Sequence, residues 1–216
     1  MNSVMIVDDH PVLRCGLAAL IEAESDLAVC GQAASGHEAL RMIPEIRPDI
    51  VIVDLELGGM HGLDLVKSMQ SQHPQIPALV LTMHDETVYA ERSLRAGAKG
   101  YLSKSALDAT VLLAIRCILQ GETYMSDKLK EQLATKFVGR GVPTSDSPLD
   151  VLTDRELQVF RLIGKGLTTR EIAATLFLSV KTVESHVEHI KRKLALDSAA
   201  ALARRAYRWV ENGDTG

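Results

Sequence analysis

The chain has 216 residues, 46% of them hydrophobic and 24% charged, with a formal net charge of −4. That balance excludes a disordered or collagen-like chain and allows one or two domains with proper cores. The charge is uneven: residues 1–121 carry 9 Lys and Arg against 15 Asp and Glu, and residues 151–216 carry 11 against 8, so the two ends suit different partners.

Five short apolar runs punctuate the first 121 residues: Val4–Val7, Leu27–Ala33, Ile50–Val53, Ala78–Leu81 and Gly100–Ser103. Such runs read as strands buried on both faces, as in a parallel sheet. Helical patterns fill the gaps at roughly 12–24, 36–46, 62–72, 86–96 and 106–120. Pro11 suits the start of the first helix and Gly97 the end of the fourth. Strict alternation predicts a doubly wound, five-stranded parallel α/β sheet with helices on both faces.

Polar residues close four of the runs. Asp8 and Asp9 follow the first, Asp54 the third and Thr82 the fourth, and Lys104 follows the fifth. Ligand chemistry in an open α/β sheet gathers at the carboxyl ends of its strands. Three carboxylates, a hydroxyl and an ammonium at one rim suit a hard divalent cation holding a phosphoryl group.

Residues 127–138 read as a connecting helix with Ser126 as N-cap, and 139–148 as a linker rich in Gly, Ser and Pro. The domain reading is 1–121, a linker with its helix over 122–148, and a smaller all-helical domain over 149–216. In the tail, Thr153-Asp154-Arg155-Glu156 and Thr168-Thr169-Arg170-Glu171 are capping boxes. Ser179 can cap a third helix through about Leu194, and Ser198 a fourth through about Val210. Two short helices at a tight turn make a helix-turn-helix, whose second helix can enter the DNA major groove. On the third helix Val183, Val187, Ile190 and Leu194 form the expected buried face.

Cys15, Cys30 and Cys117 are odd in number and far apart, and read as reduced core thiols of a cytosolic protein. No signal peptide and no apolar stretch of the roughly 20 residues needed to span a membrane is evident, so a cytoplasmic location is expected. His10 and His84 read as surface residues near the rim, and no His or Cys spacing suggests zinc.

The front half resembles a two-component receiver domain in Asp8, Asp9, Asp54, Thr82 and Lys104. The rear resembles a LuxR-type helix-turn-helix in Leu152–Glu156, Glu171-Ile172-Ala173 and Lys181–Val187. Together they resemble the NarL/FixJ group of response regulators. The resemblance implies a phosphorylation-controlled transcription regulator, not a turnover enzyme. Asp54 would accept the phosphoryl group. Asp9, Asp54 and the Glu56 backbone carbonyl would hold Mg²⁺ directly, with Asp8 acting through metal-bound water. Lys104 and Thr82 would bind phosphoryl oxygens, and Tyr101 would be a rotamer switch coupled to Thr82, although plain strand packing also explains it.

The resemblance further implies that Lys181, Thr182 and Lys193 contact phosphates, while Glu184, Ser185 and Glu188 face bases and His189 lies beside them. Ala199, Leu202, Ala203 and Ala206 would pair the last helix with its copy, or else pack inside the domain. Implied partners are a sensor histidine kinase, double-stranded DNA, a second copy and RNA polymerase. Departures from the pattern are Gly58 where many relatives have proline, bulky Met83 after Thr82, Ser105 after Lys104, and acidic Glu188 on the DNA-facing helix.

Overall fold

The computed structural model describes residues 1–83, 86–104, 109–131 and 151–211. The expectations for His84, Ser105 and the 139–148 linker, and most of the connecting helix, lie outside the described residues. The chain divides into two compact units, Met1–Val138 and Gly139–Gly216.

In the first unit the strands are β1 (Asn2–Val7), β2 (Leu27–Ala33), β3 (Ile50–Val53), β4 (Ala78–Thr82) and β5 (Gly100–Ser103). Between and after them run α1 (Pro11–Glu22), α2 (Gly36–Ile46), α3 (Gly62–Gln72), α4 (Glu86–Arg95) and α5 (Ala109–Leu119). The sheet is parallel throughout, in the order β2-β1-β3-β4-β5, so β3 sits at its centre. Every residue of β3 and β4 is buried, which is why their sequences do not alternate.

Successive side chains point to opposite faces. Val4, Ile6, Ile50, Ile52, Leu79 and Leu81 pack with Leu17 and Ile21 of α1 and Val111 and Ile115 of α5. The intervening residues Met5, Val7, Val51, Val53 and Val80 are equally buried on the other face. Burying each such side chain contributes roughly 1.5–3 kcal/mol, so this two-sided core dominates the unit. Gly97 ends α4 at φ 106, a conformation glycine adopts without strain. Ser126 caps a helical turn as expected, its hydroxyl accepting from the Leu129 amide at 3.1 Å.

The cysteines depart from the expected burial. All three are free, but Cys15 is exposed and Cys30 and Cys117 are only half-buried. Cys15 lies on the outer side of α1, whose inner stripe is supplied by Leu17, Ala18 and Ile21.

Among its described residues the second unit shows the helices α6 (Asp154–Gly164), α7 (Thr169–Thr175), α8 (Val180–Lys193) and α9 (Ala199–Glu211). Both predicted capping boxes are formed, at Thr153 with Glu156 and at Thr168 with Glu171. Ser179 accepts from the Thr182 amide and Ser198 from the Ala201 amide. Helix α6 packs against both α8 and α9. Phe160 and Trp209 meet there with ring centroids 5.6 Å apart.

Glu156 does more than cap. It is buried, and its Oε2 accepts from the Thr153 amide at 2.8 Å and from Lys193 Nζ at 2.7 Å. Burial works against its charge, but the Lys193 ammonium and the Thr153 amide and hydroxyl outweigh it and hold the carboxyl below its usual range. A carboxylate of this kind stabilises the fold at neutral pH, and that stabilisation is lost as pH falls through its lowered folded value. Glu156→Ala is expected to cost the helical unit roughly 1–3 kcal/mol at neutral pH. Chemical denaturation of wild type and variant checks this, and the gap between them should shrink in acid.

Candidate functional site

The acidic residues sit where the ladders end. The Asp54 amide donates to the Val7 carbonyl at 2.9 Å and the Asp8 amide to the Ala33 carbonyl at 3.1 Å. Pairing thus runs one residue past each strand and fixes the backbones that carry the carboxylates. Register then aligns Thr82, the last residue of β4, with Ser103, the residue before Lys104.

Lys104 Nζ bridges Asp54 Oδ2 at 2.6 Å and Asp8 Oδ2 at 2.7 Å. All three are nearly closed to solvent, with Asp8 and Asp54 each 3% exposed and Lys104 7%. Asp9 faces outward, and His10 Nδ1 lies 2.8 Å from its Oδ1. The His10 amide donates to Asp8 Oδ1, and an Arg14 guanidinium nitrogen donates to the Asp8 carbonyl. Burial pushes the Asp54 carboxyl above its ordinary value, with the Asp8 charge adding to the rise. The Lys104 ammonium and the Glu56 amide pull the other way without cancelling it. Burial likewise opposes the charge on Lys104, but Asp54 and Asp8 hold its ammonium protonated.

One ammonium therefore bridges two buried carboxylates, with a third, Asp9, close by, and among the described residues the buried Asp54 Oδ1 has no hydrogen-bond partner. Ligand atoms of Asp8, Asp9, His10 and Asp54 lie within 4.8 Å of one another. An acidic, mostly oxygen donor set with an open buried oxygen fits a hard divalent cation.

Glu56 is exposed in the loop after Asp54. That loop closes on Gly62, whose amide donates to the Leu55 carbonyl at 3.0 Å. A Cβ on Gly62 would collide with the Asp54 carbonyl oxygen. Gly62→Ala is therefore expected to shift the backbone of Asp54 and to destabilise the sheet unit by roughly 1–3 kcal/mol. Thermal unfolding reads this out, and an unchanged midpoint would show that the loop gives way freely.

Thr82 and Tyr101 are both buried beneath the rim. Met83 is 71% exposed, so its bulk lies largely in solvent.

The second candidate surface is α8. Val183 and Ile190 are fully buried, Leu194 is buried and Val187 is half-buried, which leaves the opposite side outward. Lys181, Glu184, Ser185, Glu188 and His189 are exposed and Thr182 is half-buried. Several of these have local partners. Thr182 Oγ1 lies 2.7 Å from Ser179 Oγ, and the Ser185 hydroxyl donates to the Lys181 carbonyl at 3.0 Å. Glu188 pairs with Lys191 at 2.8 Å. His189 Nδ1 stands 3.8 Å from Glu156 Oε1, and Lys193 is held by Glu156. His186 is half-buried, and burial together with Arg155 keeps its imidazole below its ordinary value.

The α9 set divides. Leu202 and Ala206 are buried inside their own domain, and the Ala206 carbonyl lies where a Cβ on Gly164 of α6 would fall. Ala199 and Ala203 remain exposed. Of the two alternatives, packing inside the domain holds for Leu202 and Ala206.

Two residues at the rim carried no functional weight in the sequence: His10, against Asp9, and Arg14, against the Asp8 backbone. The only signal was spacing, since Arg14 lies one helical turn after His10 at the start of α1.

Residues 4–116 match the response regulator receiver domain model, and residues 150–206 match the model of bacterial regulatory proteins of the luxR family. The chain is 39% identical over 208 residues to the oxygen regulatory protein NreC of Staphylococcus epidermidis, covering 94% of this chain and 95% of that protein. It is 41% identical to NreC of Staphylococcus aureus over the same shares. Among solved structures it is similar to a LuxR-family two-component response regulator from Aurantimonas, with TM-score 0.60 and 36% identity over 64% of this chain and 99% of that one. It shares its fold with promoter-bound RcsB from Salmonella enterica, with TM-score 0.64 and 24% identity over 94% and 96% of the two chains. Among the described residues, no helix is long and apolar enough to cross a membrane.

Proposed function

Because the chain belongs to the two-component response regulators that join a receiver domain to a LuxR-type DNA-binding domain, we propose that Asp54 is its phosphoacceptor and α8 its DNA-reading helix. The chain is a regulator of transcription, not a turnover enzyme. The observation that carries the site assignment is the buried trio of Asp8, Asp54 and Lys104, in which Asp54 alone keeps an oxygen without a partner.

Asp8, Asp9, Asp54 and the Glu56 carbonyl would hold Mg²⁺, which when bound supplies positive charge to a transferring phosphoryl group. Asp54 acts as the carboxylate nucleophile: a new oxygen–phosphorus bond forms at its side chain, and the bond to the donor breaks. The donor is a phosphohistidine on a partner sensor kinase or a small acyl phosphate. Lys104 already touches the Asp54 carboxylate and needs only a short shift to reach a phosphoryl oxygen as a point charge. The Thr82 hydroxyl donates to another oxygen, and the Tyr101 ring follows it. Burial at this rim keeps water from the product.

Residues 122–148 would link the two domains. Lys181 and Thr182 would position α8 on phosphates, with Lys193 joining them on release from Glu156, and Glu184, Ser185, Glu188 and His189 would face the groove. The helical domain carries only a small excess of basic residues, so one copy gives few phosphate contacts and two copies double them. Ala199 and Ala203 are the members of the α9 set still open to a second copy.

Incubation with Mg²⁺ and acetyl phosphate tests the receiver assignment. One phosphoryl group per chain by intact mass is the expected result. An unlabelled chain would make the receiver a constitutive association module, and sustained phosphate release would make it a hydrolase.

A further inference from the structure

The polar residues of α8 are unequal in what they have left to offer DNA. Ser185 donates its hydroxyl to its own helix, Thr182 is tied to Ser179, and Lys193 is held by Glu156. Glu188, one turn beyond Glu184 on the same ridge, is neutralised by Lys191 at 2.8 Å. Glu184 is exposed and has neither a cation nor a donor among the described residues. It is the one outward carboxylate in the amino-terminal half of the helix, the half that approaches base edges in a helix-turn-helix.

An uncompensated carboxylate pressed against a polyanion is repelled unless it accepts a hydrogen bond. The major groove offers only two such donors, the exocyclic amines of cytosine and adenine. The adenine amine lies between two acceptors, its own N7 and the O4 of the paired thymine. The cytosine amine has an acceptor on one side only, the O6 of guanine, and a C–H edge on the other. A group that can only accept is therefore repelled less at cytosine.

We propose that Glu184 is a specificity-determining residue that selects cytosine through its N4 amine. This rests on the reading of α8 as the DNA-facing helix. It gives the one uncompensated carboxylate of α8 a positive role: Glu184 rejects most sequences and is relieved only at its own base.

The test uses the full-length chain, treated with Mg²⁺ and acetyl phosphate, in binding selections from random duplexes. Wild type is expected to enrich cytosine at one position of each half-site, with roughly tenfold discrimination there. Glu184→Gln, which can pair with both N6 and N7 of adenine, is expected to move that position to adenine. Glu184→Ala is expected to lose preference at that position alone. Lys181→Ala serves as the control for the parent reading and should weaken binding to all duplexes with a salt slope shallower by about 1. If Lys181→Ala behaves so while Glu184→Ala selects the wild-type site and merely binds all DNA more tightly, Glu184 is only an electrostatic brake and the inference is wrong. If neither change alters binding, α8 is not at the DNA, and both readings fall.

Discussion

Asp54→Asn is expected to abolish phosphoryl incorporation altogether, where wild type gains one group per chain from acetyl phosphate and Mg²⁺. The change keeps the shape of the side chain and removes its nucleophilic charge. It also leaves the ion pair between Lys104 and Asp8 in place, so the variant should fold. Since burial already disfavours the Asp54 charge, neutralising it should raise the unfolding midpoint measured without divalent cations. The sign follows from linkage: a carboxyl with a raised folded value weakens the fold as pH rises through that value, and Asn removes the effect. Intact mass and thermal melts provide the two readouts. Equal labelling of the variant would place the acceptor elsewhere. Asp9→Ala tests the cation separately. It should leave the Lys104 trio untouched, yet lose most labelling and most of the dependence on Mg²⁺.

Thr82→Ala is expected to separate labelling from response. The hydroxyl is buried at the end of β4, and Tyr101 is buried on the neighbouring strand. A phosphoryl group can shift a two-state equilibrium only as far as its contacts differ between the states. Moving a chain from 1:99 to 99:1 requires about 5.5 kcal/mol of such difference. Thr82 would supply the contact that exists only once Asp54 is modified. The variant should still label at Asp54, but its monomer–dimer distribution should stay close to that of the unmodified chain. Thr82→Ser, which keeps the hydroxyl, should restore the shift. Analytical ultracentrifugation of free and labelled forms decides the matter, and a Thr82→Ala chain that dimerises like wild type on labelling would refute the coupling.

The rim was legible because parallel strands impose two readable rules. Strands buried on both faces are continuously apolar, and the first polar residue after each marks the rim. Asp8, Asp54 and Thr82 follow from those rules, and register brings in Lys104, one residue past the Ser103 that pairs with Thr82. The helical domain was legible at its caps, because a Thr and a Glu three residues apart satisfy a helix start locally. What the sequence hid was long-range. Nothing local pairs Lys193 with Glu156, 37 residues away, and a basic residue near a helix end reads first as a phosphate contact. The α9 stripe likewise cannot announce whether Leu202 and Ala206 face α6 or a second copy, since both partners are apolar. Cys15 misled for a related reason: α1 is apolar beyond its inner stripe, and Val12 is almost wholly exposed on it.

The bridge from Lys104 to both Asp8 and Asp54 also dictates the order in which such a site can decay by mutation. If Asp54 is neutralised first, the ammonium keeps its partner in Asp8 and no buried charge is left unpaired. If the lysine is neutralised first, two buried carboxylates are left facing one another with nothing between them. Descendants that abandon phosphorylation are thus expected to lose Asp54 early and Lys104 late. A retained lysine beside a missing acceptor would record a former switch, not a working one.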